Sequence, residues 1–145
     1  MYGARFAIDS MRRGGGGAIV NVSSTSALGH GRATSGGSPA YDVAKAGVLR
    51  LTTTLAGLAS EGIRVNCIAP DWIDTPELRA YVDSLSPEQR FRSGVPSRLT
   101  TLDEISSAVL QLATDESLAG RVLVWWSDDA PRLIPCGDPG YASLG

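Results

Sequence analysis

Apolar positions along this chain alternate between helical spacing and short unbroken runs. In YGARFAIDSMRR, Phe6, Ala7, Ser10 and Met11 recur as on one side of a helix, and the glycines at 14–17 end it. AIVNVSS, 18–24, is short and β-branched, which predicts a strand. TSALGHGRATSGGS, 25–38, is small, polar and glycine-rich, the composition of a mobile loop. Ser38-Pro39 then supplies an N-cap and a first-turn residue. Ala40, Ala44, Gly47, Leu51, Leu55 and Leu58 follow at intervals of three and four, predicting one long helix that ends near Gly62.

IRVNCIA, 63–69, is a continuous run between glycine and proline, the form of a strand buried on both faces. Thr75-Pro76 and Ser86-Pro87 are helix starts, the second with Gln89 placed to close a capping box. Thr101 with Glu104 repeats that device, and Ile105, Ala108, Val109 and Leu112 give the next helix its buried stripe. RVLVWW, 121–126, is a last strand, and the tail SDDAPRLIPCGDPGYASLG is too dense in Pro and Gly for a regular element. Alternation of helices and strands implies right-handed crossovers and a parallel α/β sheet. Three strands are fewer than such sheets normally have, so the pattern reads as half of a doubly wound domain.

Composition narrows the function. The 145 residues are 43% hydrophobic and 19% charged, the make-up of one ordinary globular domain. A formal charge of -2 gives no electrostatic footprint for nucleic acid or an anionic membrane. No apolar run approaches the roughly 20 residues of a spanning helix, and MYGARFAIDS lacks a secretory layout, so a cytoplasmic location is expected. In that compartment Cys67 and Cys136 are expected to be reduced, and neither spacing suits a metal.

The candidate chemistry centres on the only lysine. Lys45 stands four residues after Tyr41, so the two share a helix face. A phenol is a poor base at neutral pH, but a nearby cation favours the phenolate, and such a tyrosine exchanges protons with an alcohol or a developing alkoxide. An exposed helix-start tyrosine beside a solvated lysine is the plainer alternative. Ser23 and Ser24 end a strand on the side where open α/β sheets bind ligands. A hydroxyl there can stabilise charge on a substrate carbonyl oxygen, or simply close a polar strand exit.

Taken in order, AIVNVSS, then YDVAKAG, then RVNCIAPDWIDTP resemble the short-chain dehydrogenase/reductase family. They match its serine, its Tyr-x-x-x-Lys and its Val-Asn-x-Ile-x-Pro-Gly-x-Ile-x-Thr stretch. RLTTLDEISSAVLQLATDES through GRVLVWW is similar to the family's closing helix and last strand. The resemblance covers roughly residues 1–126 and implies a partial Rossmann-like doubly wound parallel sheet, followed by a tail at 127–145. It further implies an NAD(P)-dependent oxidoreductase moving hydride at a carbonyl or alcohol carbon. Tyr41 would be the proton donor or acceptor, and Lys45 would favour its phenolate and hold the cofactor's ribose. Ser24, rather than Ser23, would orient the substrate carbonyl. Ile73 and Thr75 would contact the nicotinamide amide, with Pro70 shaping their loop. A homo-oligomer joined by the helices around 2–13 and 39–60 is expected, with a small carbonyl or alcohol substrate as the other partner.

The chain departs from the family in several places. No glycine-rich turn joins a first strand to its helix, so the phosphate cradle is missing, and with it the residue that chooses NAD or NADP. The family's active-site asparagine aligns just before Met1, as though the adenine-side half and four strands were absent, through a misplaced start or a true fragment. Ser24 and Tyr41 are 17 positions apart, about four more than the family's usual spacing, a lengthened loop that carries His30 and Arg32. Arg32 is either a plain surface residue or a partner for an anionic substrate group. Asp71 replaces the family's glycine after Pro70, which predicts a carboxylate near the cofactor phosphates. Trp125 and Trp126 are expected to pack. The second class of function is therefore a non-catalytic fragment or interaction protein, with the outer edge of AIVNVSS exposed.

Overall fold

The computed structural model describes residues 2–28 and 38–135. Helix α1 (Tyr2–Gly14) leads into strand β1 (Gly17–Val22), and helix α2 (Pro39–Thr54) into β2 (Ile63–Pro70). Helices α3 (Pro76–Ser84), α4 (Pro87–Arg92) and α5 (Leu102–Thr114) come before β3 (Val122–Trp125) and a two-residue β4 (Arg132–Leu133). The sheet order is β1-β2-β3-β4, with the first three strands parallel. Helices α1 and α2 pack on one face and α5 on the other, so the α/β, doubly wound expectation holds.

Strand β2 is the centre of this arrangement. Ile63, Val65, Cys67, Ile68 and Ala69 are all fully buried. Cys67 and Ala69 meet Val48 and Leu49 of α2, Ile63 and Val65 meet Ile8 of α1, and Ile68 meets Ala108 and Leu112 of α5. A run with no polar alternation is what burial on both faces requires. Of its two polar members, Arg64 is partly exposed and donates to the Ala113 carbonyl (2.8 Å), while Asn66 is fully buried and hydrogen-bonded at both ends of its amide. Its Nδ2 donates to the carbonyls of Leu112 (3.0 Å) and Leu118 (2.8 Å), and its Oδ1 accepts from the Arg121 N–H (3.0 Å). Asn66 thus caps an orphan carbonyl at the end of α5 and ties the turn before β3 to the sheet.

Both predicted capping boxes are present, Ser86 with Gln89 and Thr101 with Glu104. The Ser38-Pro39 start also holds in position, and two further local expectations are corrected. Ser38 occupies the N-cap of α2 but its side chain makes no capping hydrogen bond, and Pro39 with its fixed φ sets the helix entry. The helix expected to reach Gly62 stops at Thr54 and continues as a 3-10 segment, Leu55–Glu61. Threonine hydroxyls there compete for helix carbonyls, Thr52 bonding Val48 O and Thr53 bonding Arg50 O. Gly62, at φ 74°, turns the chain into β2. The tail is not wholly irregular: the Trp126–Asp129 turn reverses the chain, and Arg132–Leu133 pairs antiparallel with β3.

The outer side of β1 pairs with nothing among the described residues. The N–H groups of Gly17 and Ser23 bond the carbonyls of Gly62 and Ile68, so odd-numbered residues face β2. The backbone groups of Ala18, Val20 and Val22 therefore point to the open side. The ladder stops beyond Ser23 because Pro70, the last residue of β2, has no N–H to offer.

Two measurements check these accounts. Asn66→Ala strands two carbonyls and an N–H inside the protein, and should lower unfolding free energy by about 3 kcal/mol in a denaturant titration. Glu104 is held at about 2, below its ordinary 4.5, by the Thr101 N–H, the Arg98 guanidinium and the Thr101 hydroxyl. Its contribution is complete above pH 4.5 and is lost as pH falls through about 2. Thermal melts of Glu104→Gln should lose less than the wild type over that window.

Candidate functional site

The residues singled out from the sequence converge on the carboxyl ends of β1 and β2. Ser23 and Ser24 leave β1 together and part in role. Ser23 is buried, with its N–H on Ile68 O and its hydroxyl donating to the backbone carbonyl of Lys45 at 2.7 Å. Ser24 is half-buried, its Oγ accepting the Ser26 N–H at 3.2 Å as the 3-10 turn Thr25–Leu28 begins. Among the described residues, none accepts the Ser24 hydroxyl proton. This division favours Ser24 over Ser23 for meeting a ligand.

Tyr41 and Lys45 stand one turn apart near the start of α2. Lys45 Nζ lies 5.4 Å from the centroid of the Tyr41 ring and donates to Val22 O at 3.1 Å. Tyr41 is 48% exposed, so its phenol is open to a ligand. A cation over an aromatic face is attracted by the ring quadrupole, which favours keeping the pair together.

The loop after β2 brings in Pro70, Ile73 and Thr75. Pro70 is buried as the last residue of β2. Ile73 bridges to Thr100, with Asp74 N–H on Thr100 O (2.8 Å) and Thr100 N–H on Trp72 O (2.9 Å). Thr75 caps α3, its Oγ1 accepting the Leu78 N–H at 3.2 Å. Only its hydroxyl proton remains for a ligand, because its N–H goes to Ile73 O.

Sequence reasoning missed how this loop is fastened. Asp71 is half-buried, not turned outward: its carboxylate accepts from the Thr25 hydroxyl (3.1 Å) and the Ser127 N–H (3.4 Å). Burial raises its pKa, and the hydrogen bonds from Ser127 and Thr25 offset part of that cost. Both its oxygens hold the loop to neighbouring elements. Ser127, fully buried, accepts from Trp72 N–H and donates to Trp72 O. Nothing in the Ser-Asp-Asp after the tryptophans marks that role; only the fold brings Ser127 to Trp72. Trp125 packs in the core, while Trp126 is 41% exposed.

The glycines near β1 form no phosphate cradle. The N–H groups of Gly16 and Gly17 are taken by Met11 O and Gly62 O, at the opposite end of β1 from Ser24. Burial pushes the Cys67 thiol up to about 11, so it packs as a neutral group. His30, Arg32 and Cys136 lie outside the described residues. Among those described, no three His, Cys, Asp or Glu side chains could share a metal ion, and no helix is long and apolar enough to cross a membrane. A cavity of about 710 Å³ lies between Leu28, Val124, Trp126, Leu133 and Ile134, with Asp129 and Arg132 also on its wall.

Comparison with known proteins places these features in a wider set. The family model described as enoyl-(acyl carrier protein) reductase matches residues 1–124. The 3-oxoacyl-(acyl-carrier-protein) reductase FabG of Chlamydia muridarum is 41% identical over 111 residues, 74% of this chain and 42% of that protein. The crystal structure of 3-hydroxyacyl-CoA dehydrogenase type-2 from Mycobacterium avium aligns with a TM-score of 0.66 at 34% identity, over 84% of this chain and 48% of that one. That of ElxO with NADP bound aligns with a TM-score of 0.68 at 30% identity, over 83% and 49%. This chain spans under half the length of these relatives.

The cap seen at Thr75 yields a direct test: Thr75→Val should destabilise the protein by about 1 kcal/mol, read as a lower denaturant midpoint with an unchanged slope.

Proposed function

Since the chain belongs to the short-chain dehydrogenase/reductase family, we propose that it carries the proton-transfer and nicotinamide-side part of an NAD(P)-dependent oxidoreductase acting at a carbonyl or alcohol carbon. The observation that carries this reading is the exposed Tyr41 with the chain's only lysine over its ring, that lysine reaching the end of β1 at Val22 O, two residues before Ser24. The nicotinamide would supply or accept the hydride. Tyr41 gives its Oη proton to the developing alkoxide in reduction and takes it back in oxidation. Ser24 donates its hydroxyl to the carbonyl oxygen, holding the reacting carbon in place as charge grows there. Lys45, its ammonium over the Tyr41 ring, would hold the ribose hydroxyls of the cofactor.

The residues present fit half of such a cofactor. Tyr41, Lys45, Pro70, Ile73 and Thr75 would hold its nicotinamide end, while no cradle for the pyrophosphate exists among the described residues. The Thr75 hydroxyl proton is a suitable donor to the carboxamide, and the fastened 71–75 loop holds it ready. The apolar cavity beyond Leu28 gives room for the rest of a substrate whose carbonyl sits at Ser24. Exposed Tyr2 and Phe6 on α1 and Val43 on α2 favour self-association through those helices.

A second reading, a non-catalytic interaction protein, is favoured by one observation, the open backbone of β1 at Ala18, Val20 and Val22. Fluorescence titration with NADH and NADPH separates the two. Saturable binding, together with turnover that Tyr41→Phe lowers by about 10²-fold or more while leaving the melting temperature unchanged, supports the oxidoreductase. A folded chain that binds neither dinucleotide supports the second reading.

A further inference from the structure

We infer that Ser23 is a positioning residue for Lys45, an inference that rests on the oxidoreductase reading for its purpose but not for its geometry. The end of β1 holds one lysine at both of its ends. Ser23 Oγ donates to the Lys45 backbone carbonyl at 2.7 Å, and Lys45 Nζ donates to the carbonyl of Val22, the residue just before, at 3.1 Å. Ser23 is itself fixed, 3% exposed and bonded through its N–H to Ile68 O at 2.8 Å. One side chain thus joins β1, β2 and α2 at the turn of helix that carries the ammonium.

The Lys45 carbonyl lies inside α2, where helix geometry already gives it a partner four residues on. The serine therefore takes its second lone pair and is not needed to satisfy it. What the bond adds is register. A second polar tie lies two turns along α2, where Asn21 Nδ2 donates to Thr52 Oγ1 at 3.0 Å and Thr52 Oγ1 donates to Val48 O at 3.0 Å. Two ties along one strand prevent the helix from sliding or rolling on the sheet. Tyr41, one turn before Lys45, is placed by the same constraint. A four-carbon lysine stem has many rotamers, and fixing its backbone narrows where the ammonium can go.

Because Lys45 is the only lysine, carbon-13 and nitrogen-15 labelled lysine gives one carbonyl and one Cε resonance in the whole protein. These are compared in the wild type, Ser23→Ala, Ser23→Val and Ser23→Thr, alongside NADH titration. The expected result is that Ser23→Thr, which keeps the hydroxyl, leaves both resonances in place. Ser23→Ala and Ser23→Val should shift both and weaken NADH binding about tenfold. A serine that merely filled space would make the similarly shaped Thr and Val variants behave alike, and that outcome overturns the inference. So do folded Ala and Val variants whose Lys45 resonances do not move. Should those variants not fold, the wild-type carbonyl decides: a resonance displaced from that of an ordinary helical lysine supports the second hydrogen bond, and an undisplaced one overturns it. If the wild type binds no NADH while the resonances still follow the hydroxyl, the oxidoreductase reading fails and the hold of Ser23 on Lys45 stands.

Discussion

The rest of the molecule is hung on one strand that, Arg64 apart, is buried along its whole length. Strand β2 has a neighbour on each edge and helices on each face, so each polar group within it must find a partner inside the protein. The backbone does so through two parallel ladders, and Asn66 does so by reaching out of the strand to α5 and to the turn before β3. The amide that is costly to bury becomes the device that sets where α5 and β3 sit. At its far end the strand delivers Pro70 and Asp71 into the loop that the site requires.

The loop and the helix beside it are fixed by different means. The 71–75 segment is fastened by remote stretches, through the side chains of Thr25 and Ser127 and the backbone of Thr100. Helix α2 is fixed by the strand that came before it, through Ser23 and Asn21. The lysine and tyrosine of α2 and the serine at the end of β1 therefore stand on elements whose positions are settled before any ligand arrives. Preorganisation of this kind is what a site needs if its charges are to act on a transition state without first rearranging.

Much of this was legible in the sequence because the periods were clean. The unbroken IRVNCIA run gave a doubly covered strand, the Ile105–Leu112 stripe a helix packed on the sheet, and Ser86 and Thr101 real capping boxes. The Tyr41–Lys45 spacing placed the two side chains together. Side-chain competition escaped the pattern: threonines 52 and 53 turn on their own helix and end it early, which apolar spacing alone does not register. Long-range polar partners escaped it too. The hydrogen bonds of Asp71 were not legible because its neighbours in space, Thr25 and Ser127, are 46 and 56 residues away in sequence.

The open side of β1 gives the lysine a second occupation. Val22 is one of the residues whose backbone faces away from β2, so the carbonyl that Lys45 caps belongs to the unpaired edge. A carbonyl has two lone pairs, so a strand laid along that edge would share this acceptor with the ammonium and meet a positive charge at its end. A fixed charge at the rim of an open strand is one of the ways in which an edge limits what can pair with it.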